Sequence, residues 1–416
     1  MKHYQCETAI VGAGPAGIAA ALVAARCGAN VLLIERYGCV GGGMTSMYVR
    51  PFMGSVENQN IGQEIEKAIN ELSDSMNPVE AAKCALSRLL HEAGVHVLLQ
   101  STLCAVHTNS GRITSLEIAT QSGVCNVCAQ QYIDASGDGV LCTYAGCNVQ
   151  VGRESDGLVQ PTSIMFTVDG IEPWQNISCR HEEHYQDLGD GREYLDLCHK
   201  ACASGELPPT VNIVRLYETG HPGERMVNAT QLNGVDSLKP ANLFESEHEL
   251  RAQIETVVRF LKCNIPGFAN IRVSGSATTL GIRESRRIIG DYVLTSDDLI
   301  AGRKFEDAIV HNACFCIDIH NPSGPGQAVN EEGCPKTVQP YDIPYRCITP
   351  LGFDNLLTAG RCISGTHEAH ASYRVMRICM AVGDAAGRAS VMALHKKACT
   401  RDIDIKELQC KLGIKR

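Results

Sequence analysis

The chain opens with apolar runs separated by glycine-rich breaks. Thr8–Val11 is a short apolar run and reads as a buried strand. Gly12-Ala13-Gly14-Pro15-Ala16-Gly17 interrupts it. Ile18–Cys27, rich in Ala and Leu, reads as a helix that Gly28-Ala29-Asn30 ends, and Val31–Ile34 is a second buried strand closed by Glu35. The same grammar returns later. Ile133–Gly139 is a strand that stops at small residues and glycine. Asn355–Arg361 is a strand ending in glycine, and a helix-like stretch, Arg374–His395, follows it. Between these ends the pattern changes. Ser163–Val168 and Ala277–Ile282 read as strands, and Glu245–Cys263 as an amphipathic helix with Leu250, Ile254, Val257, Val258 and Leu261 on one face. This predicts an α/β protein with a discontinuous, Rossmann-like nucleotide-binding domain over residues 1–151 and 341–416. Residues 152–340 are expected to form an inserted mixed-sheet substrate or cap domain.

Composition narrows the class. At roughly 100–200 residues per domain, 416 residues allow two or three domains. Apolar residues make up 44% and aromatics only 5%, which suits a core of small aliphatic side chains. The net charge of −9 argues against a nucleic-acid partner and against an acidic membrane surface. No uninterrupted apolar run reaches about 18 residues, so no membrane span is expected, and glycines break the apolar N-terminal stretch that would otherwise resemble a signal peptide. The 21 cysteines lie scattered within periodic segments and read as reduced, buried thiols of a cytoplasmic protein. No metal is expected: Cys125/Cys128, Cys198/Cys202 and Cys314/Cys316 do not extend to a four-ligand zinc or iron–sulfur set.

The order strand, glycines, helix, strand, acid has a chemical meaning. Gly12 permits the tight turn, Gly14 lets backbone approach a diphosphate, and Gly17 lets helix and strand pack closely. Pro15 and Ala16 lie in the turn that leads into the helix, whose free amides face the phosphates. Glu35, followed by Arg36, is placed to accept from ribose hydroxyls and favours FAD or NAD over NADP. Three further segments select non-covalent FAD. Gly41-Gly42-Gly43-Met44-Thr45 is expected beside the flavin diphosphate and ribityl chain. Ala135, Gly137 and Asp138 are expected to pass close to the cofactor. Gly360 and Arg361, with Arg374, Val375 and Met376 at the start of the last helix, are expected to point at the flavin ring.

The runs GIRESRRIIGDYVLTSDDL (281–299), IDIHNP (317–322), IPYRCITP (343–350) and NLLTAGRCISGTHEAHASYRVMRICMAVGDAAGRA (355–389) carry a resemblance. With the N-terminal fingerprint, the chain resembles the FAD-dependent oxidoreductases labelled by similarity to the flavin subunit of heterodisulfide reductase. The resemblance implies a glutathione-reductase-like FAD fold and leaves the substrate open. No second GxGxxG unit is present, and Cys39 has no close cysteine partner for a redox disulfide.

Candidate catalytic residues are those brought to the flavin. Arg283, in a dense patch with Glu284, Arg286 and Arg287, reads either as an anion clamp or as part of an internal ion-pair network. If that segment is extended, Arg283 and Arg287 share one face. His320, at the end of an apolar run, reads as a general acid or base or as a structural histidine. His367 and His370 precede the last helix, and Tyr345 and Arg346 share a Pro-flanked segment that can bind substrate. The expected function is hydride transfer between flavin N5 and a small polar metabolite, acidic or polyhydroxylated, with an external electron donor or acceptor and a homo-oligomer allowed. The alternatives are a flavin-carrying subunit of a larger complex and a protein with structural FAD.

Overall fold

The structure is a computed structural model that describes residues 2–50, 52–58, 60–180, 185–326 and 337–414. At its centre lies a five-stranded parallel sheet in the order Leu356–Thr358, Gln131–Asp134, Thr8–Val11, Val31–Ile34, His96–Leu98. The central strands are buried on both faces, as parallel strands must be. Alternate residues serve two different cores. Ile10, Leu33 and Ile133 face a core shared with the helices, whereas Ala9, Leu32 and Tyr132 face a core shared with an antiparallel meander. The meander comprises Thr102–Asn109, Arg112–Thr120 and Gly123–Cys128, with Lys2–Gln5 added in parallel.

Register places the site. Val11 pairs with Ile34 on one side and with Asp134 on the other, and Asp134 pairs with Thr358. Gly12, Glu35, Ala135 and Ala359 therefore leave the sheet together at its carboxyl edge. The chain also crosses there from one side of Thr8–Val11 to the other, where open α/β sheets bind ligands.

Two helices close the back of this edge. The first, Pro15–Arg26, packs against the long helix Met376–Lys396 with almost nothing between them. A Cβ on Gly383 would stand 2.1 Å from the Ala16 carbonyl oxygen, and one on Gly387 2.5 Å from that of Ala20. Glycines one helical turn apart allow this approach. The helix expected from Arg374 begins two residues later, and a separate short helix precedes it. His367–Tyr373 is a short helix, and Val375 is extended (φ −70°, ψ 150°) before Met376 starts the long one.

The second half contains an antiparallel sheet in the order Arg215–Glu218, Arg225–Asn228, Phe166–Asp169, Arg272–Ser276. The helix Pro240–Asn264 buries Leu250, Ile254, Val257 and Leu261 against this half's core, with Val258 packed at its margin. It begins earlier than the apolar pattern indicates, with Pro240 in its first turn. Ala277–Ile282 is not a regular strand. Ala277 and Thr278 donate to the carbonyls of Met165 and Ser46, and only Gly281 bridges to Ser163. Leu294–Ile319, assigned from sequence to the inserted region, contribute Leu294, Ile309, Val310 and Ile317 to the core of the parallel-sheet half. Their strand Ala308–Ala313 pairs with Tyr341–Pro344. No disulfide joins the described cysteines. No described helix is long and apolar enough to cross a membrane.

Candidate functional site

A cleft of about 510 Å³ runs from the carboxyl edge of the parallel sheet to the face of the antiparallel one. Its outer end is backbone. Gly12 has φ +100°, a conformation that strains any side chain, and a Cβ there would meet the Ala135 carbonyl oxygen at 2.5 Å. A Cβ on Gly17 would lie 1.9 Å from the Gly12 carbonyl oxygen. At Gly14 and Gly43 a Cβ would meet nothing within 4 Å. These two glycines line the cleft, so the space beside them belongs to the cleft and not to the core. The glycine loop folds over the first turn: Gly41 N–H donates to the Ala13 carbonyl at 2.7 Å, and Gly42 lies against the Gly14 backbone. Gly14 caps the first helix without a side-chain hydrogen bond, and Val375 does the same for the long helix, whose first residue, Met376, lines the cleft. Uncapped amide ends of this kind suit anionic oxygen. The residues present therefore fit a dinucleotide diphosphate.

Glu35 lies in the cleft wall and accepts from the Ala13 amide at 2.7 Å and the Tyr37 amide at 2.9 Å. Arg36 and Arg361 also line the cleft, and Asp138 ties both from behind, at 3.1 and 3.2 Å. Burial alone would raise the Asp138 carboxyl, but Arg361 and Arg36 hold it below the usual carboxylate range. Pro15, Ala16, Ala135, Gly137, Gly360 and Arg374 line the cleft as well. Five expected cofactor contacts do not. Gly17 is a packing glycine. Met44 is buried in the core. Thr45 turns inward and donates to the Val40 carbonyl at 2.7 Å. Asp138 stands behind the two arginines, and Val375 packs against Gly54. Cys39 is likewise not in the lining.

The inner end is charged. Arg283, Arg374, Asp318 and His320 line it, joined by Arg215, Tyr217 and Asn228 from the antiparallel sheet. Arg374 Nη2 donates to Asp318 Oδ2 at 2.9 Å, and His320 Nε2 lies 3.6 Å from the same oxygen. Burial would raise Asp318, but His320 and Arg374 hold it far below the usual carboxylate range. Burial, reinforced by repulsion from Arg283, pushes His320 down to about 3, with Asp318 opposing. The imidazole is therefore neutral at neutral pH. Burial and the neighbouring Arg374 push Arg283 down to about 9.

Two candidate catalytic residues lie outside the cleft. His367 is fully buried with Nδ1 2.8 Å from Glu284. Tyr345 is buried and its hydroxyl donates to the Thr400 carbonyl at 2.7 Å. Each side chain already serves a structural partner, so neither is retained as catalytic. The 283–287 patch divides between cleft and interior. Arg283 lines the cleft, whereas Glu284 pairs with Arg287 and His367 in the interior. Arg283 and Arg287 do not share a face, because the strand begins only at Arg286. Reasoning from sequence missed Arg215, Tyr217, Asn228 and Asp318. Two signals were present: the i, i+2 spacing of Arg215 and Tyr217 and of Asp318 and His320 puts each pair on one side of an extended segment. Among the described residues no group of three or more ligating side chains is placed to hold a metal ion.

Comparison with known proteins agrees with this geometry. The family model described as FAD dependent oxidoreductase matches residues 7–412. The thiamine thiazole synthase of Aeropyrum pernix is 32% identical over 123 residues, 28% of this chain and 45% of that protein. The soluble pyridine nucleotide transhydrogenase of Serratia proteamaculans is 48% identical over 44 residues, 11% of this chain and 10% of that protein. The chain thus spans less than half the length of these curated relatives. Among solved structures, a flavin-dependent brominase triple mutant matches with TM-score 0.51 and 12% identity, covering 98% of this chain and 84% of that one. The p-nitrophenol 4-monooxygenase of Pseudomonas putida matches with TM-score 0.50 and 10% identity, covering 96% and 83%. At such identities these structures speak for the fold alone. With the family model spanning nearly the whole chain and the glycine-built cleft fitting its cofactor, the chain belongs to the FAD dependent oxidoreductase family.

Proposed function

We propose that this protein transfers a hydride between flavin N5 and a carbon of a small polar metabolite, acidic or polyhydroxylated, while His320 moves the accompanying proton. FAD, when bound, supplies a two-electron donor or acceptor. The observation that carries the reading is the continuity of one cleft from the glycine turns to Arg283, Asp318, His320 and Arg374. A neutral imidazole accepts a proton. In the oxidative direction the substrate hydroxyl proton passes to His320, the carbon–oxygen double bond forms, and the hydride leaves carbon. Asp318, kept ionised 3.6 Å away, stabilises the imidazolium that results. In the reductive direction the imidazolium returns the proton. The electron pair is exchanged with an external donor or acceptor of the reducing cytoplasm.

The test is an anaerobic screen of acids and polyols against the FAD-loaded protein, read as loss of the oxidised flavin absorbance. A metabolite that bleaches wild type but not His320→Gln supports the assignment. A flavin that no small metabolite reduces, in a protein that purifies with other chains, supports instead an electron-carrying subunit.

A further inference from the structure

The inner end of the cleft holds more positive charge and more hydrogen-bond donors than its own residues satisfy. Arg374 has a counter-ion in Asp318. Arg283 has none: among the described residues its hydrogen bond runs from Nη1 to the Pro161 carbonyl at 2.7 Å, and no carboxylate lies within ion-pair distance. The Nε–H of Arg374 is buried and has no acceptor. Asn228 Nδ2 donates to the Tyr217 hydroxyl oxygen at 3.3 Å, which leaves the Tyr217 O–H to donate elsewhere. A half-buried cation that faces a cleft without a carboxylate partner is suited to an anionic ligand that completes the pair.

We propose that the substrate is a small carboxylic acid whose carboxylate seats on the Arg283 guanidinium, with Tyr217 and Arg374 donating around it. This rests on the reading that the inner end of the cleft receives the reacting substrate, and it chooses between the two classes named there. A polyol presents hydroxyl protons that need acceptors, and the acceptor at this end, Asp318, is engaged by Arg374. A carboxylate presents acceptors only, and the guanidinium fork matches its two oxygens. One uncompensated guanidinium at Arg283 also suits a singly charged carboxylate better than a phosphate dianion. His320 on the same wall then faces the substrate next to its acid group.

The experiment titrates the FAD-loaded protein with acetate, propionate, inorganic phosphate and erythritol and follows the difference spectrum of the bound flavin. The expected result is saturable binding of the carboxylates, weaker binding of phosphate and none of erythritol. Arg283→Gln should weaken carboxylate binding by about a hundredfold, as loss of one charge-assisted pair predicts. Arg283→Lys should recover part of that loss, and both variants should keep full FAD content, which reports that they fold. The inference is overturned if erythritol saturates the site while carboxylates do not, if phosphate binds more tightly than either carboxylate, or if Arg283→Gln binds carboxylates like wild type. The two readings fail separately. Carboxylates that bind while no acid or polyol ever bleaches the flavin remove the hydride-transfer reading alone. A polyol that bleaches the flavin in a protein blind to carboxylates removes the carboxylate alone.

Discussion

The two ends of the cleft are built by opposite means. At the outer end the contacts are backbone: Gly12, Gly14, Gly42 and Gly43 bring main chain to the surface, and two helix starts turn uncapped amides toward it. At the inner end the contacts are side chains, gathered from residues far apart in sequence: 215–228, 283, 318–320 and 374. Backbone recognition demands particular glycines in one short order, so chemistry and sequence motif coincide. Side-chain recognition demands only that certain groups converge, and many sequences achieve that. A cofactor common to a family suits the first strategy, and a substrate that differs between members suits the second.

The glycines divide this account most sharply. Gly17→Val and Gly14→Val alter the same motif, yet their effects should differ in kind. A side chain at 17 collides with the Gly12 carbonyl inside the core, so the variant should fail to yield folded protein, or lose well over about 3 kcal/mol of stability in denaturant unfolding. A side chain at 14 enters open cleft, so the apoprotein should unfold within about 1 kcal/mol of wild type while FAD affinity falls by about a hundredfold or more. Equal loss of folding in both variants would erase the distinction between cleft and core drawn here.

The next effect in size concerns the buried ion cluster behind the inner end. Glu284→Gln leaves Arg287 in the interior without its carboxylate and should cost about 3–5 kcal/mol in chemical unfolding, without removing FAD from the protein that remains folded. A cost below about 1 kcal/mol would show that the cluster is not a structural unit.

How much of this was legible follows from the same contrast. The first strand, the glycine turn, the first helix and Glu35 are contiguous, and periodicity plus glycine spacing located them. Arg283 and His320 stood out because each is a polar group beside an apolar run. Arg215 and Tyr217 did not, because a strand of four residues with a charge at each end looks like any surface strand, and only the fold turns that face toward the cleft. His367 and Tyr345, expected at the flavin, lie away from the cleft for a related reason. Sequence proximity to the last helix does not say which way a side chain points, and both point into the interior. The helix contact through Gly383 and Gly387 was visible only as a small-residue composition, because its meaning depends on a helix more than 350 residues away.

Smaller effects sharpen the inner end. The folded-state pKa of His320, about 3, lies below the ordinary histidine value. The unfolded chain therefore binds more protons between about pH 6.5 and about 3, and stability must fall as pH drops through that window. His320→Gln should flatten this acid-side slope in urea unfolding measured at several pH values, and an unchanged slope would show that the ring is not buried neutral. At the outer end, Glu35→Gln should weaken FAD binding by about tenfold. Its single amide oxygen can keep only one of the two backbone donors, Ala13 or Tyr37, which the carboxylate holds on separate oxygens, so stability should fall as well, by about 1–2 kcal/mol. Equal FAD affinity would place the ribose elsewhere.

The most direct test of the whole account is to denature the purified, flavin-loaded protein and measure what is released and what stays on the chain. The account predicts one FAD per chain in the supernatant and a polypeptide of unmodified mass. Protein that carries no flavin after expression with adequate supply, or flavin that remains on the chain after denaturation, would contradict it.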